Sequence, residues 1–144
     1  MKVNPIPEGF HTVTPYLAVH HVPETIDFLK QAFEAEELDR HTMPDGTVMN
    51  ATIRIGDSMI MMGERPADAA PSPAMLYIYT EDADALYQRA IDAGGKSIME
   101  VTDQFYGDRS GAVEDPSGNQ WWIATHIEDM SDEELIERAK RERG

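Results

Sequence analysis

The sequence contains no cysteine. That absence excludes disulfides, thiolate metal sites and a cysteine nucleophile together. A reducing cytoplasm is the expected setting, because disulfide staples belong to oxidising compartments. Positive charge is also scarce: 12 Lys and Arg stand against 27 Asp and Glu, a formal net charge of −15. Nucleic acid is therefore excluded as a natural partner, since phosphates are held by clustered Lys and Arg. Such a surface favours solubility, and it also draws cationic ligands. No apolar run approaches the roughly 18 residues a membrane span needs, so no membrane partner is expected. The opening segment, Met1–Phe10, carries Pro5, Pro7, Glu8 and Gly9 where a secretion signal would carry a basic stretch and then an apolar one.

What is present suffices for one packed domain: 144 residues, 41% of them hydrophobic. The apolar pattern reads as one unit used twice. Pro15 to Val19 is a short strand. Val22, Ile26, Leu29 and Phe33 then fall on one face of a helix that runs from Val22 to Phe33, with Pro23 in its first turn, where the missing N–H costs nothing. His21, just before it, is read as a cap of that turn. Three strands follow: Glu37 to Met43, Val48 to Ile55 and Ser58 to Gly63. Pro44-Asp45-Gly46 and Gly56-Asp57 form the turns between them.

After a Pro- and Ala-rich stretch the order recurs. Met75 to Tyr79 is a strand. Asp82 to Ala93 is a helix with Ala83, Leu86 and Ala90 on one face, closed by Gly94-Gly95. Lys96 to Thr102, Gly111 to Glu114 and Asn119 to Thr125 are strands, the last two joined by a turn at Asp115-Pro116-Ser117-Gly118. The halves align at a constant offset: 75 − 14 = 61 and 122 − 61 = 61. This predicts a single α+β domain of two βαβββ modules. Module 1 spans about 11–64, the linker 65–73 and module 2 about 74–126. A last helix spans about 131–143, where Ser131 and Glu134 form a capping box and basic residues gather near the end.

Several residues here carry a family likeness. They are Thr14-Pro15-Tyr16-Leu17-Ala18-Val19, Ile26-Asp27-Phe28, the Ala93-Gly94-Gly95 helix end and Asp115-Pro116-Ser117-Gly118-Asn119. In this order and at these spacings they resemble the vicinal oxygen chelate superfamily, the glyoxalase and bleomycin-resistance fold. Phe105-Tyr106-Gly107-Asp108-Arg109 and Trp121 to His126 resemble its PhnB-like branch. The resemblance implies two modules whose strands curl around a cleft, and a homodimer. In family enzymes it also implies a divalent metal, with ligands from the first and last strands of each module. Those places fall on Thr14, Met61, Met75 and Trp122. A threonine hydroxyl is a weak neutral donor, thioethers suit soft copper(I), and tryptophan offers only an N–H. A one-residue slip supplies no better donor, so the expectation is no metal and no other cofactor.

The remaining candidates divide between structural and functional roles. Met59, Met61, Met62 and Met75 are either ordinary core or an adaptable apolar wall to the cleft. Trp121 and Trp122 must face opposite sides of their sheet, and the family register points Trp122 inward, near Tyr77 and Thr14. Asn50, Thr52 and Arg54 alternate along one strand face, which is either a solvated edge or a polar wall. Arg109 is either a two-pronged anion clamp or a partner in a local salt bridge with Asp108. His11, His20, His21, His41 and His126 form no ligand pattern and read as solvated or structural. The expected ligand pocket is thus Thr14, Asn50, Thr52, Met61, Met75, Tyr77, Phe105 and Trp122. Two functions compete for it: metal-free binding of a small, partly aromatic or cationic molecule, or metal-independent isomerase or lyase chemistry on an unidentified small substrate.

Overall fold

The computed structural model describes residues 2–143. Its first half runs β1 (Tyr16–Val19), α1 (Val22–Phe33), β2 (Glu36–Thr42), β3 (Val48–Ile55) and β4 (Ser58–Glu64). Its second half runs β5 (Met75–Tyr79), α2 (Ala83–Asp92), β6 (Lys96–Asp103), β7 (Asp108–Glu114) and β8 (Gln120–His126). A final helix, α3 (Asp132–Arg143), follows. Each half makes its own four-stranded sheet, ordered β1-β4-β3-β2 and β5-β8-β7-β6. The first strand of each pairs parallel to the last, and the other pairs are antiparallel. The fold is α+β, as the pattern predicted.

The helices form where the apolar period demands. Val22, Ile26, Leu29 and Phe33 are all buried, so the α1 stripe is a core face. His21 occupies the N-cap but makes no side-chain bond there, contrary to its reading as a cap. In α2 the cap is Asp82, whose carboxylate accepts from the N–H of Ala85 at 3.1 Å. α1 packs on α2, and α2 also packs on β6, β7 and β8. Both sheets therefore bury one face against helices, and a single apolar core runs through both halves, joined by Phe33 and Trp121 with ring centroids 5.4 Å apart. Along the strands Leu17, Ile53, Ile60, Met62, Val113, Trp121 and Ile123 are buried core residues.

The repeat is real but its offset is not constant. Tyr16 pairs with Met61 and Tyr77 with Trp122, giving 77 − 16 = 61 and 122 − 61 = 61. On the other strands Glu36 pairs with Arg54 and Lys96 with Glu114, giving 96 − 36 = 60 and 114 − 54 = 60. The second half thus has one residue fewer before its second strand and one more in its last turn. β7 also begins at Asp108 rather than Gly111, because Asp108, Arg109 and Ser110 continue the ladder against His126, Thr125 and Ala124. Residues 65–74 form neither helix nor strand.

α3 buries no side chain. Its start is capped, Ser131 Oγ accepting from the Glu134 N–H at 3.2 Å. Arg138 ties it down, pairing with Glu128 at 2.6 Å and donating to the Phe105 carbonyl at 3.3 Å, and it also pairs within the helix with Glu134 at 2.8 Å. Gly107 makes room for this segment. It has φ +94°, its carbonyl accepts from the N–H groups of Ile127 and Glu128, and any Cβ there would strike the Glu128 carbonyl oxygen. Among the described residues, no helix is long and apolar enough to cross a membrane.

Candidate functional site

Among the described residues, β1 is bonded only to β4 and β5 only to β8, so each sheet leaves a strand edge free. Between them lies a cleft of about 780 Å³, lined by Tyr16, Leu17, Ile60, Met75, Tyr77 and Tyr79 among others, with buried Trp121 in its wall. The lining is mostly apolar and aromatic, as small-molecule sites commonly are. Of the expected pocket residues, Met75 and Tyr77 line this cleft. Thr14, Asn50, Thr52, Met61, Phe105 and Trp122 do not. Met61 sits in register between Tyr16 and Thr52, and Thr52 is buried. Asn50 is bonded to His41, and Phe105 stacks edge-on against Tyr106 in the turn after β6.

Strand alternation separates the two tryptophans as expected, but each takes a role the sequence did not show. Trp121 is on the helix side, 1% exposed, and donates its indole N–H to Asp115 at 2.8 Å. Asp115 also accepts from the N–H groups of Ser117 and Asn119 and from the Asn119 amide. The Asp115–Asn119 segment is thus a turn wrapped around a buried carboxylate whose charge is met by donors on every side. Trp122 is half-buried on the opposite face, between Tyr77 and Ala112, and donates to Gln120 at 3.1 Å. Arg109 is no open clamp: its guanidinium pairs with Asp84 at 2.8 Å and Asp103 at 3.0 Å. Its partners are these, not Asp108, because adjacent strand residues point to opposite faces.

Asp108 is the centre of a polar cluster that sequence reasoning missed. It is buried, and it accepts from the Tyr77 hydroxyl at 2.8 Å and the Tyr79 hydroxyl at 3.1 Å. Its other oxygen lies 2.8 Å from His126 Nδ1, and His126 Nε2 lies 2.7 Å from Asp129. Ser110, on the same face, is fully buried, and its hydroxyl has no hydrogen-bond partner among the described residues. The available signal was register. Once β7 is extended to Asp108, that residue falls opposite His126, two places along from the Tyr79–Ala124–Ser110 row.

Burial pushes the Asp108 carboxyl up, but the hydrogen bonds from His126, Tyr77 and Tyr79 outweigh it and hold it below its ordinary 3.8. Asp108 first, and then Asp129, hold the His126 imidazole above its ordinary 6.5. The Asp108 contribution to stability is present above 3.8 and is lost as pH falls through its lowered value. The His126 contribution is present below 6.5 and is lost as pH rises through its raised value. The cluster therefore supports the fold fully between those limits. Unfolding midpoints followed across pH should fall on the alkaline side of this window in the wild type and fall less in His126→Gln; parallel profiles would mean that His126 does not stabilise the fold through this cluster.

Comparison with known proteins places this architecture. The model for the glyoxalase/bleomycin resistance protein/dioxygenase superfamily matches residues 9–123. This chain belongs to that superfamily. It is 31% identical over 134 residues to the uncharacterised protein Mb0911c of Mycobacterium bovis, covering 85% of this chain and 88% of that protein. Among solved structures it is similar to TioX from Micromonospora sp. ML1, with a TM-score of 0.68, 21% identity and coverage of 81% of this chain and 99% of that one. It is also similar to the Arabidopsis thaliana At5g48480 gene product, with a TM-score of 0.63, 27% identity and coverage of 80% and 98%. The places that the resemblance assigns to a superfamily metal hold Thr14, Met61, Met75 and Trp122, which offer a hydroxyl, two thioethers and an indole N–H.

Proposed function

We propose that this protein binds a small, partly aromatic or cationic molecule in the cleft between β1 and β5, without a metal. The observation that carries the reading is the cleft wall. Tyr16, Met75, Tyr77 and Tyr79 line it with aromatic faces and a pliable thioether. Each aromatic face can hold a cation at about 0.5–2 kcal/mol. The net charge of −15 concentrates cations near the surface.

The second reading, a metal-independent enzyme of isomerase or lyase type, draws on the Asp108 cluster. A histidine fixed by a buried carboxylate beside tyrosine hydroxyls is a proton-transfer arrangement. We further infer a cytoplasmic homodimer of the PhnB-like branch. The free edges of β1 and β5 support the second copy, as does the exposure of Tyr16 at 53%, Met75 at 62% and Tyr79 at 63% beside them.

Protein dialysed against chelator should bind a cationic aromatic dye such as thioflavin T saturably. Tyr77→Ala should weaken that binding about tenfold, within the range for one cation–aromatic contact. The same sample should sediment at twice the 16.1 kDa chain mass. A non-saturating dye response, or one that Tyr77→Ala leaves unchanged, would discard the cleft. A 16.1 kDa species would discard the dimer.

A further inference from the structure

At the ends of β5 and β8 an open recess is lined by Tyr79, Thr80, Glu81, Thr125 and His126. The imidazole of His126 is held on its inner side by Asp108, whose oxygens are filled by His126, Tyr77 and Tyr79. Its outer nitrogen, Nε2, already carries a carboxylate, that of Asp129 at 2.7 Å. Asp129 lies between β8 and α3, and its side chain is 99% exposed. Beside the recess, Tyr79 and Ser110 flank Ala124 on one sheet face, and the buried Ser110 hydroxyl has no hydrogen-bond partner among the described residues.

We propose that this recess binds a small monocarboxylic acid, whose carboxylate replaces Asp129 on His126 Nε2 and whose uncharged body lies against the Tyr79 ring. The molecule itself displays the carboxylate geometry through Asp129. An imidazolium has two N–H donors; Asp108 takes the one on Nδ1, which leaves Nε2–H directed outward. The resident pair is weak enough to exchange, since ion pairs this exposed contribute little. The ring of Tyr79, 63% exposed, gives a flat apolar body a surface. Glu81 also lines the recess, so a ligand with a second carboxylate meets further like charge there. As a tethered competitor, Asp129 keeps the native affinity low. The inference does not depend on the β1–β5 cleft reading: its probe is an anion, its reporter is His126, and its failure leaves that reading standing.

The test is a titration of the full chain, labelled with ¹⁵N, with benzoate at pH about 6, where imidazolium dominates, following the ring nitrogens of His126. A saturable shift at Nε2 is expected. Asp129→Asn should tighten benzoate about two- to fivefold, the worth of one exposed ion pair, and His126→Gln should abolish saturable binding. Benzene-1,3-dicarboxylate should bind more weakly than benzoate, and Glu81→Gln should narrow the gap. No saturation below about 50 mM in either wild type or Asp129→Asn, an unchanged or weaker affinity in Asp129→Asn, or dicarboxylate binding as tight as benzoate would each overturn the proposal. Should His126→Gln not fold, the exposed Asp129→Asn variant decides alone.

Discussion

Trp121→Ala is expected to lower the unfolding free energy by about 3–5 kcal/mol, the range for removing a large buried aromatic. The ring is 1% exposed and lies 5.4 Å from that of Phe33, so its loss opens a cavity between an α1 residue and a β8 residue. It also takes a donor from Asp115, 5% exposed, which relies on Trp121, Asn119 and Ser117 to compensate its burial. Trp121→Phe separates the two causes. It keeps most of the apolar volume and leaves the carboxylate short of a donor, at a cost of about 1–3 kcal/mol. Urea unfolding would register both as lower midpoints with an unchanged slope. A loss below about 1 kcal/mol for the alanine variant would place the indole outside the core.

Phe33→Ala should cost a similar amount, about 3–5 kcal/mol, and it should not add to the first change. Phe33 is 6% exposed at the end of α1, edge-on to Phe28 at 6.0 Å and tilted against Trp121 at 5.4 Å. The two sheets are separate hydrogen-bonded units, so the halves hold together through α1 against α2 and through side-chain contacts such as this one. Removing either ring relieves the other of its neighbour. The double variant should therefore lose less than the sum, with a coupling of about 0.5–3 kcal/mol. Strict additivity in a urea double-mutant cycle would mean that this contact does not join the halves.

Most of the element order was legible because it depends on local periodicity. The α1 stripe of Val22, Ile26, Leu29 and Phe33 specifies a helix and its buried face, and the helix spans the predicted residues. β3, with its Val48–Ile55 bounds, and α3, with its Ser131 cap, were equally local. β7 extends beyond the Gly111–Glu114 that the pattern predicts because Asp108, Arg109 and Ser110 carry no apolar signal; their pairing with β8 makes them strand. The offset of 61 was legible from the first and last strands of each half. The drop to 60 on the middle strands was not, because one missing and one added residue cancel before the last strand is reached.

The sequence by itself determined the α+β repeat, the family and the acidic surface, because residue identity and short spacings carry all of these. Only the tertiary structure decided which side chains meet. It set Met75 and Tyr77 in a cleft with Tyr16 and Tyr79, turned Trp121 into the core against Phe33 and Asp115, and engaged Arg109 with Asp84 and Asp103. It also gathered Tyr77, Tyr79, Asp108, His126 and Asp129, scattered over three segments of chain, into one hydrogen-bonded cluster. The physical reason is strand register. A side chain's face is fixed by a period of two, and its neighbours are fixed by which residue of another strand lies opposite, a long-range relation that local pattern does not encode.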